Sequence, residues 1–232
     1  MKSLNKMVIK GLLICFIGID GSGKTTLSKE VVKSLRKQGL ECNYVYARLN
    51  PFLSRPIMLV GRLMFLNGRE ITSRNYIEYS TIKRSLMEHY PILSRIYLQI
   101  LLVDFYFQIF FKVKIPLKLG KNIVCDRYVY DTVITDFSVH LNYSIDKIVN
   151  LVNNLLRLIP KPNIIFLIDV PEEVAYQRKN DIVSIEYLRE KRWIYLKVGE
   201  KYNAILIDGT KPLKELKVSI QHKVFEYIKE RN

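Results

Sequence analysis

Gly18-Ile19-Asp20-Gly21-Ser22-Gly23-Lys24-Thr25-Thr26 is the stretch whose reading decides the fold. It fits the pattern G-x-x-x-x-G-K-[ST], with Gly18, Gly23, Lys24 and Thr25 at the fixed positions. Upstream, Leu12 to Ile17 is a short apolar run that reads as a buried strand. Downstream, Leu27, Val31, Val32 and Leu35 recur at helical spacing, and Gly39 follows as a stop signal. Strand, glycine loop and helix in that order are the setting in which the pattern binds phosphate. Gly18, Gly21 and Gly23 let the backbone turn tightly and aim several N–H groups into one concavity, which Ser22 and Thr26 border. The positive end of the following helix adds to the pull on an anion. Lys24 then reaches terminal phosphates, and the Thr25 hydroxyl offers an oxygen to Mg²⁺. A glycine turn that binds nothing is the bland alternative, and the full motif between strand and helix disfavours it.

At 232 residues the chain suits one domain, 1–232, and its 49% hydrophobic content is ample for a core. No long linker, internal repeat or low-complexity tract divides it. Cys15, Cys42 and Cys125 are odd in number, lack C-x-x-C spacing and sit in apolar runs. Buried reduced thiols and a cytoplasmic location are therefore expected. Lysines followed by an apolar run at Met1 to Ile17 resemble a signal peptide, but cleavage there would destroy the glycine loop, so that reading is rejected. The net charge of +15 suits phosphorylated substrates, nucleic acid or an anionic surface. Because the excess is scattered, most of it reads as solvated surface, with a few arginines serving phosphates, and no nucleic-acid partner is expected.

Along the chain, Cys42 to Ala47 reads as a second strand ending at Arg48, and Asn50-Pro51 marks a loop. Residues 53–67 and 71–89 read as helices. Ile92 to Val113 is the most apolar stretch, yet Arg95 and Asp104 interrupt it, so a buried helix or a subunit contact is expected rather than a membrane span. Asn122 to Cys125 is a third strand that runs into Asp126-Arg127-Tyr128. An acidic residue ending an apolar strand in such a protein is a candidate metal-site carboxylate, and Arg127 beside it a candidate phosphate clamp. Helices are expected at 130–140 and 145–158, strands at 164–168 and 204–207, and helices again from Pro171 and over 213–229. Strands alternating with helices predict a five-stranded parallel sheet flanked by helices on both faces, the P-loop NTPase fold, with a short lid at about 171–192. Ligands in such sheets bind beyond the carboxyl ends of the strands, where Gly18, Arg48, Asp126 and Asp169 fall.

Three landmarks give the chain a resemblance to the thymidylate kinases among nucleoside monophosphate kinases. They are the loop Gly18 to Thr26 with its acidic Asp20, the strand leading to Asp126-Arg127-Tyr128, and Ile165 to Pro171 with Arg178 downstream. The resemblance covers roughly residues 11 to 230. It implies transfer of the terminal phosphoryl of ATP to a monophosphate, most readily dTMP, with Mg²⁺. By that resemblance Lys24, Asp126, Arg127 and Arg178 are catalytic, and Gly18 to Thr26, including Asp20 and Ser22, bind ATP. Asp20, Arg48, Phe105 and Arg127 meet the acceptor, and Thr25 with Asp126 holds the metal. A homodimer through the apolar helix at 92–111 is also expected.

The departures from the family pattern bear on substrate more than on reaction. Phe105 follows Asp104 where the family commonly has arginine, and a phenyl ring donates no hydrogen bond to a base. Ile134-Thr135-Asp136 stands where Ala-Tyr-Gln is common, Arg48 lacks a following Pro-Gly-Gly, and the phosphate loop contains no arginine. Lid residues such as Arg178 would then supply charge in the transition state. A related phosphotransferase with another nucleotide or nucleoside acceptor, and a nucleotide-binding protein without catalysis, stay open at this point.

Overall fold

The computed structural model describes residues 11–52, 54–66, 85, 88–138, 144–179 and 182–231. Five short apolar segments become strands: β1 Leu13–Ile17, β2 Cys42–Tyr46, β3 Asn122–Asp126, β4 Ile164–Asp169 and β5 Ile205–Asp208. All pairings are parallel, in the order β2-β3-β1-β4-β5, so the glycine loop leaves the central strand. β1, β3 and β4 are near-continuous runs of Ile, Leu, Val, Cys and Phe because helices cover the sheet on both sides.

Alternation along these strands sorts the core into two layers. Leu13, Cys15 and Ile17 face one layer with Ile123, Cys125 and Leu167. Leu12, Ile14 and Phe16 face the other, against Leu27, Val31 and Leu35 of α1, Lys24–Lys37, and Ile220 and Val224 of α8, Leu213–Arg231. The first layer is closed by α3, Pro91–Ile109, α4, Val129–Asp131, α5, Ile145–Leu156, and α7, Ile185–Lys201. α2 spans Arg55–Leu66, and α6 is the short Glu172–Gln177. The expected five-stranded P-loop fold is therefore the observed one.

Helix details differ from the sequence reading in two places. α3 passes through an unexpected π turn at Phe110–Lys114, though it ends at Lys118, between Pro116 and Gly120, where the sequence closes it. α4 starts at Val129 and passes at once into a π turn, Thr132–Phe137, rather than forming a regular helix over 130–140. Hydropathic periodicity is blind to one extra residue per turn, whereas tertiary packing of Val133, Ile134 and Phe137 into the core selects it. The helix expected over 71–89 lies almost wholly outside the described residues.

All three cysteines are free and buried, one each in β1, β2 and β3. The helix from Pro91 to Lys118 is long and apolar enough to cross a membrane, and 28% of its most apolar stretch is buried inside the protein. Leu101, Phe105, Ile109 and Val113 face the core, while Ile92, Ile96, Val103, Phe107 and Phe111 are exposed. The expectation of a buried helix thus holds for one face.

Candidate active site

Three strand ends meet at one rim of the sheet and carry the site. β1 delivers the glycine loop, β3 delivers Asp126 and Arg127, and β2 delivers Arg48 just beyond its end. The backbone bonds from Arg127 N to Phe16 O (3.0 Å) and from Ala47 N to Asp126 O (3.1 Å) continue the sheet ladder into these turns, so their positions are set by the fold. Gly21 is needed in the loop for two reasons: its φ is +82°, and an added Cβ would strike the backbone of Ala175 in α6.

Lys24 is buried and its ammonium donates to the carbonyls of Gly18 and Ile19, both at 2.6 Å, and to Ser22 Oγ at 3.3 Å. Burial pushes Lys24 down to about 8, Arg127 pushes the same way, and Asp131, Asp20 and Asp126 oppose it. A buried ammonium whose hydrogen bonds go to neutral oxygens has much to gain from an anion entering the loop. The Thr25 hydroxyl donates to Asp126 Oδ2 at 2.6 Å, and Tyr44 donates to the same oxygen at 2.9 Å. Asp126 Oδ1 is buried and makes no hydrogen bond among the described residues. A hydroxyl beside a carboxylate with a spare oxygen is a hard-oxygen donor set, which suits Mg²⁺ completed by phosphate oxygens and water. Groups of three or more His, Cys, Asp or Glu that would bind a metal without phosphate do not occur among the described residues.

Arg127 is the most constrained side chain in the site. Its backbone is left-handed, φ 69°, which is costly for a residue with a Cβ. Its Nη2 donates to Asp20 Oδ1, and Asp131 Oδ1 lies 3.6 Å from Nη1. Nε and Nη1 have no hydrogen-bond acceptor among the described residues. Asp20 would be raised by burial, but Arg127, Lys24 and Arg48 outweigh that and hold its carboxyl far below the usual carboxylate range. Arg127 itself would be lowered by burial, yet Asp131 and Asp20 keep it firmly charged. Spare, charged donors in a buried position are what a phosphate dianion requires.

Arg48 grips Asp136 with two bonds, Nη2 to Oδ1 at 2.8 Å and Nε to Oδ2 at 3.2 Å. The loop that follows is laced to α3: Gln108 donates to Arg48 O at 2.6 Å and accepts from Asn50 N at 2.8 Å. Asp104 Oδ2 accepts from the amides of Phe52 and Ser54 and from the Ser54 hydroxyl. Asp104 thus fastens the loop at the entry to α2. Phe105, read from the sequence as an acceptor contact, is fully buried in the core layer and presents no face to the rim. Arg178 is exposed at the end of α6 and donates to Gly209 O at 3.1 Å.

Several site groups were invisible in the sequence reading. Arg192 of α7 binds Asp169 through two bonds, at 2.7 and 2.9 Å, and Glu172 through a third at 3.0 Å. Lys191 donates to Ile134 O and Ser138 Oγ, both at 2.8 Å, and Tyr195 donates to Asp131 Oδ1 at 2.8 Å. The sequence reading named no helix over 185–201, so the polar residues that α7 turns inward went unseen.

The family model for thymidylate kinase matches residues 79–220, well over half of the chain. A probable thymidylate kinase of Sulfurisphaera tokodaii is 30% identical over 212 residues, covering 88% of this chain and 90% of that one. The chain belongs to the thymidylate kinase family. A second relative, from Methanocaldococcus jannaschii and also named a probable thymidylate kinase, is 27% identical over 228 residues, covering 96% of this chain and 98% of its own. Thymidylate kinases are nucleoside monophosphate kinases, so membership makes this chain an enzyme of that class. The family match begins well past the glycine loop, so the loop identifies itself independently by its motif and geometry.

Proposed function

We propose that the protein transfers the terminal phosphoryl of MgATP to dTMP, giving ADP and dTDP. The observation that carries this reading is the single hydrogen bond joining Arg127 to Asp20 of the glycine loop, which ties a buried cation with unused donors to the phosphate loop. The family and the names of its relatives supply the acceptor.

In this reading Gly18 to Thr26 cradle the ATP phosphates through backbone N–H groups, and Lys24 leaves its carbonyls for the migrating phosphoryl. Thr25 and Asp126 would hold Mg²⁺, which when bound neutralises charge on the donor phosphates. Arg127 and Arg48 hold the acceptor phosphate, and Asp20 meets the acceptor sugar. An acceptor phosphate oxygen forms a bond to the γ-phosphorus as the β–γ bridging bond breaks, and the electron pair leaves with ADP. No covalent enzyme intermediate is needed, since positioning and charge do most of the work. Phe105 backs the acceptor wall from the core. Arg178 would serve the phosphates from a lid at 171–192 after giving up Gly209 O.

The homodimer reading is supported by the exposed apolar stripe of α3, Ile92, Ile96, Val103, Phe107 and Phe111, which recurs at intervals of four and seven. Such a stripe costs a lone protein in water and gains from a second copy. Free buried thiols fit a cytoplasmic location. The function is tested by replacing Lys24 with Met: ADP release stimulated by dTMP should fall at least about 100-fold with the fold intact. Undiminished turnover in a folded Lys24→Met protein would remove the glycine loop from the chemistry.

A further inference from the structure

α7 and the acceptor arginine lie on opposite sides of a buried carboxylate that the reaction scheme above does not use. Asp131 is completely buried at the end of α4, one turn beyond Arg127. Its Oδ1 accepts from Tyr195 of α7 at 2.8 Å and lies 3.6 Å from Arg127 Nη1, while Oδ2 has no partner among the described residues. Tyr195 is itself fully buried, and its neighbours on α7, Lys191 and Arg192, are fastened to the π turn after α4 and to the end of β4. The chain of contacts therefore runs from α7 through Tyr195, Asp131 and Arg127 to Asp20 on the phosphate loop.

We infer that Asp131 and Tyr195 are positioning residues that orient Arg127 for the acceptor phosphate. The inference rests on the reading that Arg127 meets that phosphate. Three physical points support it. First, the left-handed backbone of Arg127 gives the side chain an unusual starting direction, so the guanidinium must be held from both sides to stay over the loop. Asp20 holds one side and Asp131 the other. Second, a carboxylate is more than core packing needs at this position: Tyr195 would be satisfied by a neutral acceptor, and burying the charge is costly. Third, the 3.6 Å gap to Nη1 is an ion pair without a good hydrogen bond, so Asp131 pulls on the guanidinium without taking up Nε or Nη1 as donors.

The test is steady-state kinetics of the full-length protein with MgATP and dTMP for Asp131→Asn, Tyr195→Phe, Arg127→Lys and the Tyr195→Phe/Arg127→Lys double variant, each with a thermal melt. The expected result is a rise of about tenfold in the KM for dTMP in each single variant, with the KM for ATP within about twofold of wild type. Adding Tyr195→Phe to Arg127→Lys should cost much less than Tyr195→Phe alone, because both act through one guanidinium. Tyr195→Phe keeps the ring in the core, so it carries the test even where Asp131→Asn fails to fold. If Arg127→Lys raises the KM for dTMP while Tyr195→Phe lowers only the melting temperature, the positioning role is overturned and Arg127 keeps its own. If Arg127→Lys leaves the KM for dTMP unchanged, the reading of Arg127 is wrong and this inference goes with it.

Discussion

Arg127 shows how a few atoms concentrate the chemistry of a whole rim. A guanidinium forced into a left-handed turn at the end of β3, with a carboxylate on either side, stays charged in spite of burial. Asp131 bears the cost. Burial raises its carboxyl, Lys24, Arg127 and the Tyr195 hydroxyl resist, Asp126 adds to the rise, and the result is about 6. A carboxyl raised from 3.8 to about 6 carries a charging penalty of about 3 kcal/mol in the fold, at roughly 1.4 kcal/mol per unit. The folded protein then binds a proton more tightly than the unfolded chain between those values, so this group lowers stability as pH rises from about 4 to about 6. Asp131→Asn should therefore melt no lower than wild type at pH 7.5, and its relative advantage should fade as pH drops toward 4. A markedly lower melting temperature at pH 7.5 would make Asp131 a structural residue. The Gly18 to Thr26 motif and the Asp126-Arg127 pair were legible in the sequence, because their spacing is dictated by backbone and phosphate geometry. Asp131, Asp136 and Tyr195 were not, since the Tyr195–Asp131 and Arg48–Asp136 pairs span 64 and 88 residues and only the fold brings them together.

Among the elements, α3 does two things with two faces. Its inner face presents Asp104 and Gln108, one turn apart, to the loop carrying Arg48. Replacing Gln108 with Ala removes a donor to Arg48 O and an acceptor from Asn50 N, so the loop should loosen. The expected outcome is a several-fold higher KM for dTMP, at about 1 kcal/mol per lost neutral hydrogen bond, with little change in the KM for ATP. Equal effects on both substrates would argue against a loop-specific role. The apolar run of α3 was plain in the sequence, and its π turn was not, because the extra residue per turn is imposed by packing of Val113 and Ile109. Phe105, which follows Asp104 where a base contact was expected, is turned into the core by the helix.

At the scale of the whole molecule, the outer face of α3 carries the proposed assembly. A light-scattering mass should be close to twice the 27.3 kDa of one chain. Phe107→Glu places a charge in the middle of the apolar stripe and should shift the protein to monomer at micromolar concentration. A wild-type mass of one chain at that concentration would remove the dimer and leave the stripe unexplained. The parallel sheet with the glycine loop on its central strand was legible because alternating strand and helix patterns admit few topologies. What the sequence left open was the acceptor, since Phe105 and Ile134-Thr135-Asp136 depart from the pattern that the resemblance led one to expect.

The most direct measurement is a coupled ADP-release assay with MgATP and a panel of acceptors: dTMP, dUMP, dCMP, CMP, UMP, AMP, GMP and thymidine. Selective stimulation by dTMP, lost in Lys24→Met, is the predicted result. Stimulation only by another acceptor would contradict the assigned substrate, and ATP binding without stimulation by any acceptor would contradict phosphoryl transfer itself.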